Sequence, residues 1–379
     1  MASYLIVICL ISLATWFATL IKMLVIRQSI PLLGHPQEQY KNRSITVVVP
    51  ARDEERDIGQ AIGSLLTQEG LSLELLVVND HSSDRTGAII DALAETDTRL
   101  VAIHNPELQP GWFGKANAMQ TAARQARGDY LLFTDADVIH DSGVIWSAIS
   151  EMESGNYDFM TLVPRFEMRT FWENVDLPMI FSGLAMLASR SLEDPDSPDA
   201  VGGGAFLLVR RSVFEAVGGF ESIRHEMLDD VGLARLIKSR GYKVGIRSAI
   251  DRLHVELFKT NRDAVLAPTK NILMSGMGRP WLAAPAALLA LVLYWSPVAA
   301  VILGLVQDNS TLWQTGTTAY LIQYFSFYLA RSTFRFHPLK VLAYPLVVVV
   351  VFVCTSRALY YYYVKKSVVW RGRVIKYTD

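Results

Sequence analysis

At 379 residues, 51% hydrophobic and 19% charged, with a mean hydropathy of +0.24, the chain is too apolar for an ordinary cytosolic domain and points first to a membrane protein. Its formal net charge of -1 supplies no basic field for nucleic acid, so that class of partner is set aside. The two cysteines, Cys9 and Cys354, both lie inside apolar runs and indicate neither disulfide nor zinc chemistry.

From Tyr4 to Ile26 nearly every residue is apolar, a length that spans a bilayer as a helix. Lys22, Arg27, Lys41 and Arg43 follow or close this stretch and no positive charge precedes it, which argues for an uncleaved anchor over residues 1–30 rather than a secretory signal. The positive-inside rule then places the next segment in the cytoplasm of a multi-pass protein of the cell membrane.

Residues 44–260 have the alternation of an α/β domain. Strands are predicted at Ile45 to Val49, Leu73 to Val78, Leu100 to Ile103 and Tyr130 to Phe133, with helices over Glu54 to Gln68, Arg85 to Glu95 and Lys115 to Arg127. Such alternation favours a parallel sheet covered on both faces, with ligands outside the carboxyl ends of its strands. Three polar clusters fall at those ends: Pro50 to Glu55, Asn79 to Asp84, and Asp135 with Asp137. If the backbone stays extended past Phe133, the last two carboxylates point the same way and can face one hard cation, Mg²⁺ or Mn²⁺, together with a substrate's phosphates. Helix capping by Asp53, Asp84 or Asp137 is the alternative reading of each acid alone.

Thr46 to Glu55, Leu76 to Thr86, Gly114 to Ala118 and Thr134 to Asp137 resemble, in that order, the successive nucleotide-sugar motifs of family 2 glycosyltransferases. The resemblance covers about residues 44–250. It implies a GT-A fold, a Rossmann-like mixed sheet, with a nucleotide-diphosphate sugar as donor and a divalent metal. By motif match Asp53 and Asp80 would contact the nucleoside, with Pro50 and Glu55 on the same rim. Lys115 would lie near the donor, and Asp135 and Asp137 would hold the metal on the diphosphate. The run Gly111 to Lys115 is similar, more narrowly, to a bacterial membrane subgroup that includes hopanoid-associated and carotenoid-type glycosyltransferases.

Further along, Gly202, Gly203 and Gly204 enter a predicted strand, an arrangement that suits either a close ligand approach or a tight turn. Asp229 and Asp230 open an amphipathic segment and resemble the family's paired-acid motif, whose second carboxylate is the catalytic base of inverting members. Asp229 stands where the family has Glu, and Asp230 keeps the place of the base. Chemistry asks for one, because an acceptor hydroxyl must lose its proton as it attacks the anomeric carbon. His254 is left out of the metal site.

The apolar stretches Trp281 to Val306, Leu312 to Ala330 and Leu339 to Val364 make residues 281–364 a set of about three membrane helices. The basic tail, residues 365–379, resembles a terminal motif of the same subgroup through Trp370 and Arg371, which would close over the donor or guide a lipid acceptor. That role needs the tail on the cytoplasmic side, and it is met if the last apolar stretch, with its uninterrupted core Val341 to Cys354, re-enters the membrane rather than crossing it. The expected activity is transfer of one sugar to a lipid or other membrane-associated acceptor, metal-dependent and inverting. A processive polysaccharide synthase is the first alternative, although Ser275 to Trp281 only poorly echoes the Gln-x-x-Arg-Trp motif of such enzymes. A non-catalytic nucleotide-binding scaffold is the second, and the intact acid set argues against it.

Overall fold

The computed structural model describes residues 2–178, 180, 193, 194, 196, 197, 200–226, 228–269, 282–330, 336–370 and 373–376. Two units emerge: one of Ile30–Phe166 and Ser189–Glu256, and one of Met1–Ser29, Glu167–Ala188 and Leu257–Asp379, which opens with helix α1 (Ala2–Ser29). Segment 167–188, inside the stretch read from sequence as a single catalytic domain, belongs to the second unit.

In the first unit β1 (Arg43–Ala51) is an interior strand, and the run Ile45, Val47, Val48 and Val49 is fully buried because both faces of the sheet are covered. It pairs in parallel with β2 (Leu71–Asn79) on one side and β4 (Tyr130–Phe133) on the other, while β2 pairs in parallel with β3 (Leu100–His104). Helices α2 (Ile58–Leu66), α3 (Thr86–Ala94) and α4 (Gly114–Ala123) make the crossovers. Val47 and Val49 join one core with Ile58, Ile62 and Leu65 of α2, whereas Val48 points the other way into a second core with Met119 of α4 and a trio of rings, Phe133, Phe214 and Phe220. Those rings sit 4.9–5.5 Å apart between centroids.

After β4 come β5 (Val138–His140), helix α5 (Val144–Gly155), β6 (Phe159–Val163), β7 (Arg165–Phe166), β8 (Leu207–Arg210), α6 (Arg211–Ala216), α7 (Asp229–Ser239), β9 (Val244–Ser248) and β10 (Leu253–Val255). β8 runs antiparallel to both β4 and β6, which completes a seven-stranded sheet in the order β3-β2-β1-β4-β8-β6-β9, and β5, β10 and β7 form a small second sheet. Because the chain winds from β1 out to β3 and then returns to β4 on the opposite side of β1, the winding direction reverses between β1 and β4. Their carboxyl ends therefore flank the crevice where sheets of this class bind ligands.

One expectation about that rim is corrected. Asp135 and Asp137 do not lie on an extended strand: β4 ends at Phe133, and the acids occupy a turn in which Val138 N–H donates to Asp135 O at 3.4 Å. The ladder stops there because β8 begins only at Leu207, after a turn closed by Phe206 N–H on Gly203 O at 2.9 Å. Past Phe133 the strand has lost its partner on that side.

Among the described residues of the second unit three stretches are long and apolar enough to cross a membrane, Ser3–Val25, Ala284–Val306 and Tyr344–Lys365. They include α1, α8 (Ala283–Val306) and α10 (Val347–Tyr360). The remaining segment read as a span forms α9 (Ser310–Ala330), but it carries Gln314, Gln323 and several threonines and packs between α1 and α8. Since the run Tyr344–Lys365 has the length and hydropathy of a crossing, the shortness of its core no longer supports re-entry of the last segment.

Candidate active site

The rim is built by two loops that hold one another. After β1, Asp53 adopts a left-handed backbone (φ 53°), and after β2 His81 does the same (φ 59°), so both loops turn sharply at the sheet edge. Asp53 Oδ1 accepts from Ser83 N–H at 2.7 Å and from its hydroxyl at 3.1 Å, while Ser82 Oγ accepts from Asp53 N–H at 3.1 Å. Glu55 accepts from Arg85 N–H at 3.2 Å, and Glu55 N–H donates to Asp84 at 3.1 Å. Pro50, within β1, stands opposite Val78 of β2. Asp80 is 5% exposed, with His81 Nδ1 at 3.1 Å from its carboxylate. Thus Asp53 and Glu55 spend hydrogen bonds on joining the loops, and Asp80 lies beneath the surface they form.

The charged centre lies where β4, α4 and α7 meet. Lys115, in the first turn of α4, places Nζ 2.6 Å from Asp135 and 3.7 Å from Asp229. Burial disfavours its charge, but Asp135, Asp229 and Asp230 around it win and hold the ammonium above the ordinary lysine range. Asp229 and Asp230 are first-turn acids of α7, where the helix dipole favours negative charge. Burial pushes the Asp230 carboxyl above its ordinary value and the neighbouring Asp229 charge adds to this, while Lys115 opposes both. Asp229 Oδ2 is buried and has no hydrogen-bond partner among the described residues. Three carboxylates thus face a single ammonium, an arrangement short of positive charge.

The piece that sequence left undecided is the glycine run. Gly204 N–H donates to Asp230 Oδ2 at 3.1 Å, and Gly204 O accepts from Asp135 N–H at 3.1 Å, so one glycine is bonded to both acid segments. Val231 N–H adds a 2.8 Å bond to Asp230 Oδ1, which fixes the carboxylate at both oxygens. A side chain would break this joint: a Cβ at Gly202 would lie 2.1 Å from Asp230 O, and one at Gly204 would lie 2.6 Å from Asp135 Oδ2. The signal was three successive glycines before a strand, which cannot by itself name what approaches them.

His254, on β10, lies 3.6 Å from Asp141 rather than on the Asp135 turn. The backbone of Trp370 lies in β11 (Ser367–Trp370), which pairs with β12 (Arg373–Lys376) in the second unit. Arg371 and the echo of the processive motif at 275–281 fall outside the described residues.

The sheet order is that of a GT-A fold, and comparison with known proteins agrees. The profile "Glycosyl transferase family 2" matches residues 46–218 of the chain. Among characterised proteins it is similar to 4,4'-diaponeurosporenoate glycosyltransferase of Staphylococcus aureus (strain USA300), at 22% identity over 321 residues covering 81% of each chain. Among solved structures it superposes on a mannosyltransferase of Pyrobaculum calidifontis in complex with GDP-Man and Mn²⁺, with a TM-score of 0.54, 17% identity and coverage of 94% of this chain and 99% of that one.

Proposed function

We propose that the protein transfers a sugar from a nucleotide-diphosphate donor to a lipid or membrane-associated acceptor, with inversion and with a divalent metal. The observation that carries this reading is the Gly204 peptide, bonded to Asp135 on one side and Asp230 on the other, which joins the acid turn beside Lys115 to the acid that would serve as base. Asp53 and Asp80, with Pro50 and Glu55, form the nucleoside rim; Lys115 meets the diphosphate; Trp370 and Arg371 keep the donor-closing or acceptor-guiding role that their motif suggests.

The residues fit a metal. Three carboxylates around one ammonium leave negative charge to be met, and Gly204 keeps open the space beside Asp135 that a Cβ would fill. Among the described residues no three acids, histidines or cysteines stand close enough to hold an ion by themselves, which suits a cation that takes its other oxygens from the donor's phosphates. Asp135 and Asp137 would hold it, and when bound it would be Mg²⁺ or Mn²⁺, neutralising diphosphate charge as the leaving group departs.

Asp230 then acts as base. Its carboxylate takes the proton of the acceptor hydroxyl, the hydroxyl oxygen bonds to the anomeric carbon, and the anomeric C–O bond breaks with its electron pair going to the diphosphate. Bonds from Gly204 and Val231 hold Asp230 in place for that step. The S. aureus relative is named for a carotenoid acid, and this favours a lipid acceptor here. Lys22, Arg27, Lys41 and Arg43 favour a cytoplasmic catalytic domain in the cell membrane.

The test is incubation of the detergent-purified protein with a panel of nucleotide sugars and Mn²⁺, following release of nucleoside diphosphate. Slow donor hydrolysis that stops in EDTA is expected. Hydrolysis of no donor would overturn the reading, and undiminished hydrolysis in EDTA would remove the metal from it.

A further inference from the structure

A cavity of about 350 Å³ is walled by the β3–α4 loop, by α4 and by the loop that leads to α7. Two of its walls continue in sequence into segments that carry the charged centre. Trp112 precedes Lys115 by three residues, which places their Cα atoms at most about 11 Å apart, and His225 precedes Asp229 by four. The walls also touch: Gly111 adopts φ +79°, and a Cβ there would lie 3.0 Å from His225 Cε1.

The charges around the cavity cancel. Arg124 pairs with Glu221 at 3.1 Å, and Arg224 is matched in the lining by Glu107. A phosphate or carboxylate ligand would meet two acids there, and a cation would meet two guanidinium groups, so a neutral ligand fits best. Its polar groups are oriented. Gln120 Oε1 accepts from Phe220 N–H at 2.9 Å, which leaves the Gln120 amide hydrogens to donate. Asn117 Nδ2 donates to Glu107 O at 3.0 Å, which leaves Asn117 Oδ1 to accept. His225 Nε2 accepts from Arg224 Nε at 3.2 Å, so Nδ1 carries the ring's remaining donor. Trp112, packed by part of its ring on the neighbouring core, supplies an apolar wall.

An aromatic wall among fixed donors and acceptors, with no net charge, matches a sugar ring, which has an apolar C–H face and hydroxyls that both donate and accept. We propose that this cavity is a subsite for a neutral saccharide, distinct from the donor rim at Asp53 and Asp80, and that this saccharide is a sugar of the acceptor. The role assigned to that sugar rests on the glycosyl-transfer reading; the binding itself does not.

Binding is therefore tested without turnover. Saturation-transfer NMR on the purified full-length protein, with the methyl glycosides of glucose, mannose, galactose and N-acetylglucosamine as probes, should show at least one that binds. Thr121→Trp, which fills the cavity from α4, and Trp112→Ala, which removes its apolar wall, should each weaken that binding about tenfold or more. Excess UDP or GDP should leave it in place, and donor hydrolysis by Thr121→Trp should stay within about twofold of the parent. No binding by any probe, binding untouched in both variants, or displacement by either nucleotide would overturn the subsite. Loss of donor hydrolysis in every protein, with saccharide binding intact, would instead overturn the enzymatic reading and leave the subsite standing.

Discussion

Gln323 in the helical unit is fully buried and Asp229 in the α/β unit has one carboxylate oxygen screened from water, but only Gln323 has its hydrogen bonds made. Gln323 Nε2 donates to Leu293 O at 2.8 Å and to Ser12 Oγ at 3.3 Å, and its Oε1 accepts from the Tyr344 hydroxyl. Asn174 is used as fully, donating to Thr170 O at 2.7 Å and accepting from His337 N–H at 2.6 Å. Asp229 leaves a buried oxygen without a partner among the described residues, and Lys115 at 3.7 Å is too far to hydrogen-bond it. A unit with spans for a lipid environment has to satisfy its polar groups from within. Gln323 and Asn174 meet that demand, whereas Asp229 keeps an oxygen that a ligand of the charged centre could use.

The comparison breaks most sharply at Asp230. Asp230→Asn should leave donor affinity nearly intact while turnover falls by about two orders of magnitude or more, the usual size of a general-base contribution. Steady-state rates paired with calorimetric donor binding measure it, and activity within a few-fold of the parent would move the base elsewhere. Next is the metal turn: Asp137→Asn should strongly weaken nucleotide-sugar binding, and EDTA should do the same to the parent. Undiminished binding in excess EDTA would sever Asp135 and Asp137 from the donor.

Asp229 offers a finer probe of the same centre. Its negative charge helps to hold the Asp230 carboxyl above its ordinary value. Since the base works only when deprotonated, the rate should rise with pH through that raised value, and Asp229→Asn should move this acid limb of kcat/KM to lower pH. A limb that stays put or moves upward would show that Asp229 does not set the base.

Much of this contrast was readable in the chain, and what was missed has one cause. Strands β1, β2 and β4 announce themselves by short β-branched or apolar runs ending in acids, and that local pattern put Asp80 and Asp135 on one rim. The turn at Asp135 was misread because whether β4 continues depends on β8, whose pairing begins some seventy residues later, at Leu207↔Phe133. Gly204 was only half-read for the same reason: its partners, Asp135 and Asp230, are far away in sequence on either side. Asp53 and Glu55 were read as ligand contacts, and nothing local shows that they also bind the loop at 82–85. Segment 167–188 joins the helical unit through contacts such as Asn174 with His337, which no periodicity near residue 174 reveals.

Asp176, in the helical unit, is the acid counterpart of Asp229, and like Trp16 Nε1, Thr269 Oγ1, Ser296 Oγ and Arg357 Nε it is buried there without a hydrogen-bond partner among the described residues. It is fully buried, neither carboxylate oxygen has a hydrogen-bond partner among the described residues, and burial pushes it up to about 7. An acid whose folded pKa is raised binds more protons folded than unfolded, so its effect runs against stability as pH rises from about 4 towards 7. Asp176→Asn should therefore raise the melting temperature at pH 8 and flatten its decline between pH 5 and 8. A variant less stable than the parent at pH 8 would mean that the ionised carboxylate is paired.

The smallest expected effect tests whether the helical unit's polar groups matter only to its own packing. Gln323→Leu removes bonds to Ser12, Leu293 and Tyr344 at once but keeps a side chain of similar reach, so the loss is the network less whatever the leucine regains by packing. Hydrogen bonds between membrane helices measure roughly 1 kcal/mol each, because the unfolded chain in a membrane finds other partners. A cycle of Gln323→Leu, Tyr344→Phe and the double variant should thus give a coupling of about 1 kcal/mol. The Tyr344 ring packs near Phe327 at 5.2 Å and Tyr320 at 5.1 Å, and Tyr344→Phe keeps those contacts, so the cycle isolates the hydroxyl. Donor hydrolysis should be unchanged in all three variants. A coupling near zero would make the network incidental to stability, whereas a fall in hydrolysis at unchanged stability would make Gln323 part of the active machinery and end the division of labour between the two units.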